Sequence, residues 1–285
     1  MKNKFIKYIA VAAVAIGISA CSDDDSIRSE SVFDTEAPEL TDLDQWIRQE
    51  YTNPYNIEVI YKWSEFEFAI ERYLYPATLE NVEPTLKVVK KIWIDSYTEV
   101  GGDDFVKISA PRQLALSGGF NSNPEGTITL GFAEGGKKIV LFNVDFIDFT
   151  DRNNIQQFLN TIQHEYTHIL NQTVPFDEQT FGEITPTDYN PNWYQSTDAA
   201  ANEKGFVTAY ASSAITEDFA EMVATFLRYD NQGWNDFIDN INNVQARRDI
   251  RTKEAMMAEY FNSAFNIDIY ELQEVVQQHT DEVVN

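Results

Sequence analysis

The sequence is short of the residues that hold metals and close disulfides: 285 positions contain one cysteine, Cys21, and three histidines. A lone cysteine excludes an internal disulfide and leaves no thiolate pair for a metal, so any metal site must be built from imidazoles and carboxylates. Positive charge is scarce too. Against 46 Asp and Glu stand 21 Lys and Arg, a formal net charge of −25. A phosphate backbone requires a basic face, so this balance argues against nucleic acid as a partner. The apolar run from Tyr8 to Ile18 is about a dozen residues, below the roughly 20 that a membrane-crossing helix needs.

What surrounds that run is informative. Lys2, Lys4 and Lys7 precede it and Ser19, Ala20 and Cys21 follow it, the layout of an export signal. Ile18-Ser19-Ala20-Cys21 resembles a bacterial lipobox, which implies a signal peptide over residues 1–20 and a lipid on the Cys21 thiol. The next residues, SDDDS, resemble the signal that sends lipoproteins of Bacteroidota to the outer face of the outer membrane. That likeness implies a lipid-anchored protein facing the cell exterior. Residues 21–40 are rich in Ser, Asp and Glu, with Pro38 near the end and no apolar period, which describes an acidic linker. The remaining 41–285 are long enough for one large domain or two lobes around a cleft.

Ile57, Val59, Tyr61 and Trp63 alternate, a strand pattern over 57–63. After Glu83, Pro84 suits a first helical position, and Leu86, Val89, Trp93 and Tyr97 recur at helical spacing until Gly101 and Gly102. Strands are expected at 105–109, 127–132 and 138–143, the last two joined by a turn at Gly135 and Gly136. No internal repeat is present.

Two of the three histidines fall in one short stretch, QHEYTHIL. Ile155, Phe158, Leu159, Ile162, Tyr166 and Ile169 step by three and four, which predicts a helix over 153–170. His164 and His168 then share one face with Glu165 beside them. This HExxH spacing lets two imidazoles grip one zinc ion while a carboxylate reaches the water bound to it. Strands followed by such a helix are the order expected of the upper lobe of a zincin. A catalytic zinc of this kind keeps three protein ligands. His279 lies near the C-terminus, and the sixth position after His168 is Val174, so the extended HExxHxxGxxH motif fails and a carboxylate must serve. Glu183 lies in a Gly- and Pro-containing loop, and Glu203 has Val207 rather than an acid one turn on. Glu217 is favoured: Phe219, Met222, Val223, Phe226 and Leu227 mark a second helix on which Glu217 and Glu221 lie one turn apart. One carboxylate can then reach the metal and the other orient a histidine ring. Asp218 remains the competitor.

HEYTH followed by YASSAITEDFAE resembles a gluzincin, with the tyrosine spacing of the lethal-factor type of zinc peptidase. Together with the lipobox and acidic tether, NPYNIEVIYKW and GFVTAYASS…EDFAE resemble the Bacteroidota zinc-metallohydrolase lipoproteins associated with TonB-dependent nutrient import. The resemblance implies an α+β, zincin-like fold with an upper lobe over 41–172 and a mainly helical lower lobe over 173–285. It implies one Zn2+ per chain on His164, His168 and Glu217, with Glu165 as general base and Glu221 orienting a ligand ring. It also implies that Tyr210 stabilises the tetrahedral intermediate, a role for which Tyr166, Tyr189 and Tyr194 compete. The function expected is hydrolysis of peptides, proteins or glycoproteins, by internal cleavage since no GxMEN exopeptidase signature is present. The strand over 138–143 is expected to receive substrate by edge pairing. A non-catalytic lipoprotein that captures peptides or glycans for import is the alternative from another class, and hydrolysis of a non-peptide amide a third.

Overall fold

The computed structural model describes residues 39–63, 72, 74–123 and 126–284. The expected export signal, Cys21 and nearly all of the acidic linker lie outside them. Among the described residues no helix is long and apolar enough to cross a membrane.

Four strands form a small mixed sheet: β1 (Glu58–Ile60), β2 (Gln113–Leu116), β5 (Gly131–Glu134) and β6 (Lys138–Leu141), in the order β1-β2-β6-β5. β1, β2 and β6 are parallel, with Leu114 opposite both Val59 and Ile139, and β5 runs antiparallel to β6 with Gly131 opposite Leu141. Side chains alternate across the sheet as the period of two requires. Leu114, Leu116, Ile139 and Leu141 enter the main core beneath the helices, while Ala115, Val140 and Phe142 form a smaller cluster on the other face. A short hairpin of β3 (Asn121–Ser122) and β4 (Ile128–Thr129) precedes β5.

Several local expectations give way here. The strand expected over 127–132 is split between β4 and β5 by Leu130. β6 cannot receive substrate by edge pairing, because it lies between β2 and β5 with hydrogen bonds on both sides; β5 is the free edge next to the helices. Phe105–Ser109 is a helix. Val106 and Ser109 are buried three apart, Ile108 between them is 75% exposed, and five residues are too few to separate a period of two from one of 3.6. β2, unrecognised in the sequence, is the centre of the parallel set.

The α-helices of five or more residues are α1 (Asp42–Ile47), α2 (Leu79–Val89), α3 (Ser96–Gly101), α4 (Phe105–Ser109), α5 (Arg152–Thr173), α6 (Glu178–Gly182), α7 (Asp198–Asn202), α8 (Ile215–Arg228), α9 (Asn231–Asp239), α10 (Val244–Phe265) and α11 (Ile269–Val284). α2 starts five residues before Pro84, which sits inside it. Its start is held from elsewhere in the chain: the Asp145 carboxylate accepts the Thr78 N–H (2.8 Å), the Thr78 hydroxyl (2.8 Å) and the Asn81 side-chain amide (3.1 Å). Such a long-range cap supplies what a local capping residue would.

α5 begins where Asp151 accepts the Asn153 N–H at 2.9 Å. It buries Ile155, Phe158, Leu159, Ile162, Tyr166, Ile169 and Leu170 on one side. α8 packs along it and buries Phe219, Met222, Val223, Phe226 and Leu227. The far end of α8 is tied down by three glutamines. The amide of Gln273 donates to the Phe226 carbonyl (2.8 Å), that of Gln277 to Leu227 (2.6 Å) and that of Gln156 to Arg228 (2.9 Å). These carbonyls belong to the last turn, which has no helical partners of its own.

β5 lies directly on α5. A Cβ at Gly131 would stand 2.5 Å from Thr161 Cγ2 and 2.8 Å from the Val140 carbonyl oxygen, so glycine alone fits without a shift. Gly131→Ala is expected to cost about 1–3 kcal/mol through overpacking, read as a lower urea midpoint at unchanged slope. Adding Thr161→Ser should recover part of the loss and not all, because the backbone contact with Val140 remains.

Candidate metal centre

α5 and α8 run antiparallel, so that His164 faces Glu217 near one end of the pair while Gln156 meets Arg228 at the other. Nε2 of His164 lies 3.0 Å from Oε2 of Glu217 and 3.0 Å from Nε2 of His168, and His168 Nε2 is 3.3 Å from the same oxygen. Three ligand atoms thus form a triangle with sides of 3.0–3.3 Å. Around a zinc ion with bonds of about 2.0–2.1 Å, one face of a tetrahedron has edges of about 3.3 Å, so the donor set fits that ion. The chemistry agrees with the size: two ring nitrogens aimed at each other and at one carboxylate oxygen cannot all share protons, whereas a single cation satisfies the three. Among the described residues this is also the one His, Asp and Glu group with ligand atoms close enough to hold a metal.

The side chains around the triangle fix it. Oε1 of Glu221 lies 2.7 Å from Nδ1 of His164, and its other oxygen accepts the Thr208 hydroxyl at 2.6 Å. The ring is thereby turned so that Nε2 points at the centre, the usual service of an outer carboxylate to a metal-bound histidine. Asp218, the competing ligand, is fully buried and faces away. It meets Lys253 of α10 at 2.6 Å and accepts the Tyr189 hydroxyl at 2.8 Å, while Lys253 also donates to the Gly205 carbonyl (2.8 Å). This pair fastens the first turn of α8, and so Glu217, to α10.

The other expected candidates are placed elsewhere. Both Glu203 oxygens accept backbone N–H groups, from Asn242 (2.8 Å) and Asn243 (2.7 Å), ahead of α10. Glu183 accepts the Gln179 amide at 3.1 Å. His279 pairs with the Ser96 hydroxyl at 2.8 Å. Of the tyrosines, Tyr166 is buried against Ser109 on the core side of α5, Tyr189 is engaged by Asp218, and Tyr194 binds Asn192. Tyr210 lies at the centre: its ring centroid is 5.7 Å from that of His164, and its hydroxyl hydrogen-bonds Glu217.

A cleft of about 480 Å³ reaches the triangle at His164. Glu165 lines it beside β5, and its carboxylate accepts the Ala133 N–H. The paired residues Phe132 and Val140 use their backbone groups within the sheet, so the register points Gly131 and Ala133 outward at the cleft. Trp193 packs edge-on against Tyr210 at 4.9 Å, and Asp198 accepts the Ala209 N–H at 2.7 Å. Trp193, Thr208, Asp198 and the Ala133 amide carry no motif. Only Thr208 had a visible signal, a hydroxyl two residues before Tyr210 in a segment already marked by resemblance.

Burial is the largest single influence on both partners in the triangle, and it is overcome in each. His164, held between Glu217 and Glu221, has its pKa pushed up to about 10. Glu217 is held well below the usual carboxylate range by His164 and His168. Burial raises Glu165, with His164 and His168 opposing it, and raises the Tyr210 hydroxyl, with Glu217 adding to the effect.

Two outcomes follow for metal binding. Glu217→Ala should weaken zinc binding by orders of magnitude while Glu203→Ala leaves it within a few-fold, as measured by competition with a chromogenic chelator; equal losses would show another ligand. Because the folded pKa of His164 is above the unfolded value of about 6.5, its proton stabilises the metal-free fold fully below that pH. The contribution fades as pH rises toward about 10. Zinc competes with that proton, so affinity should climb with pH across the window and close to one proton should leave per zinc bound at pH 7. Calorimetry in buffers of different ionisation enthalpy reads the release, and identical heats in all buffers would refute it.

A family model described as "Putative zinc-binding metallo-peptidase" matches residues 36–270. Among solved structures, the chain is similar to the crystal structure of "a putative zinc-binding metallo-peptidase" from Bacteroides caccae. The two share 32% identity over 89% of this chain and 97% of that one, with a TM-score of 0.74. No curated protein matches. With the match spanning the sheet, both site helices and the histidine and carboxylate triangle, this chain belongs to the zinc-binding metallo-peptidase family.

Proposed function

We propose that the chain is a zinc-dependent endopeptidase of the gluzincin type. The observation that carries the reading is the position of Glu165: it lines the cleft with His164 of the triangle, beside the free edge of the sheet. A scaffold that only held metal would have no use for a buried carboxylate there. Its raised pKa suits a group that must take up a proton and give it back.

His164, His168 and Glu217 would hold one zinc ion, which when bound supplies Lewis acidity toward a carbonyl and acidifies a water. An extended peptide joins the outer edge of β5, where the backbone groups of Gly131 and Ala133 are aimed, as a further strand. That placement lays the scissile carbonyl across the triangle. Glu165 takes the proton of the attacking water and delivers it to the leaving amine. The Tyr210 hydroxyl, 36% of the residue being exposed to the cleft, donates to the oxyanion that develops, a contact that counts because it strengthens as charge appears. Glu221 and Thr208 hold the His164 ring throughout.

Export, a lipid on Cys21, a place on the outer face of the outer membrane and service to a TonB-dependent importer complete the proposal. They rest on the lipobox and the acidic tether in the sequence. Radiolabelled lipid incorporation that is lost in Cys21→Ser tests the anchor.

For the chemistry, Glu165→Gln should keep zinc and lower casein cleavage at least a thousandfold. Tyr210→Phe should keep zinc and lower kcat about a hundredfold with little change in KM. Zinc-loaded wild type without activity on a broad peptide library would defeat the peptidase reading.

A further inference from the structure

One charged side chain lining the cleft has no role so far. Arg228, the last residue of α8, lines the cleft together with Gln157 and Asn160. It lies on the same face of the helix as Glu217 and Glu221, at steps of four and seven residues. Its carbonyl is held by Gln156, but its guanidinium makes no hydrogen bond, ion pair or ring contact with any described residue. The other partly buried arginines are all engaged. Arg152 meets Asp281 and Gln277, Arg72 the Ser122 carbonyl, Arg247 the Ile241 carbonyl and Arg251 Glu254.

None of the acids of the same cleft is its partner; each instead meets another protein donor. Glu165 has the Ala133 amide, Asp198 the Ala209 amide, and Glu221 the His164 ring and the Thr208 hydroxyl. In a chain with a net charge of −25, this leaves a partly desolvated cation with no acid of the described residues paired to it. A guanidinium presents a planar fork that matches a carboxylate.

Its place along the cleft is set by the helices. From His164 back to Gln157 is seven residues, about 10 Å of helix rise, which equals about three residues of extended peptide. β5 fixes the direction. Ala133 stands at Glu165 and Gly131 at Thr161, so the strand passes the Arg228 end first and the metal centre afterwards. A peptide added antiparallel, the pairing with the better hydrogen bonds, therefore runs its C-terminal side toward Arg228.

Resting on the peptidase reading above, we propose that Arg228 is a specificity residue that anchors a substrate carboxylate two or three residues beyond the cut on the C-terminal side. The carboxylate is either an Asp or Glu side chain or the end of the peptide itself. Arginine at the last turn of a helix also favours the helix dipole, so the test must read selectivity rather than total activity.

The experiment uses the zinc-loaded chain and matched quenched peptides built on one sequence it cleaves. One pair carries Glu or Gln at the second and third positions past the cut, and another ends there in a free acid or an amide. Wild type should favour the acid of at least one pair by about tenfold in kcat/KM, mainly through KM. Arg228→Gln should bring that ratio close to one, and Arg228→Lys should keep part of it. The pair that responds identifies the source of the carboxylate. Ratios near one in wild type, or a preference that survives in Arg228→Gln, overturn the proposal. If wild type cleaves nothing, the peptidase reading fails by itself, and calorimetric titration of the same peptides onto zinc-loaded Glu165→Gln decides the role of Arg228. Acid-selective binding that disappears when Arg228→Gln is added sustains the anchor, and equal binding of acid and neutral peptides ends it.

Discussion

The contact between α5 and α8 is the constraint on which the rest depends. Two imidazoles and a carboxylate will not stay within about 3 Å of one another unless something rigid brings them there. Here the apolar faces of two long helices do so, with Ile162, Ile169, Phe219, Val223 and Phe226 all buried. Each polar group of the centre sits on the seam beside that core. The helices also set the cleft: antiparallel packing places the candidate metal ligands at one end and the Gln156 and Arg228 junction at the other.

Around this seam the polar groups form concentric attachments rather than isolated bonds. Glu217 is seated by its neighbour Asp218, which is locked to Lys253 in the interior. A buried pair of this kind is weak support for stability in itself, and its value here is positional. Glu221 ties the His164 ring to the segment carrying Thr208 and Tyr210. Removing either attachment would leave the ligands present but free to turn, a loss of geometry rather than of chemistry.

The sequence made the centre legible because helical spacing is a local property. HEYTH had to bring His164 and His168 to one face, and TEDFAE had to set Glu217 and Glu221 one turn apart. What stayed hidden was decided by distant partners. Asp218 and Glu217 are equal as types, and only Lys253, 35 positions later, turns one inward. The start of α2 depends on Asp145, and β2 is a strand because β1 and β6 flank it. The edge of the sheet is a matter of strand order, which no alternation of residues records. Arg228 had a signal that went unused: it continues the 217, 221, 224 series on the face of α8 already marked as functional.

The glutamines at the end of α8 tie the metal centre to the order in which the polypeptide is made. Gln273 and Gln277 come from the final helix, more than fifty positions after Glu217 on the helix they tie down. A growing chain would expose HEYTH and TEDFAE well before those moorings arrive. The last turn of α8 is therefore completed only when the C-terminal helix has docked, so the seam between α5 and α8 waits on the tail of the chain.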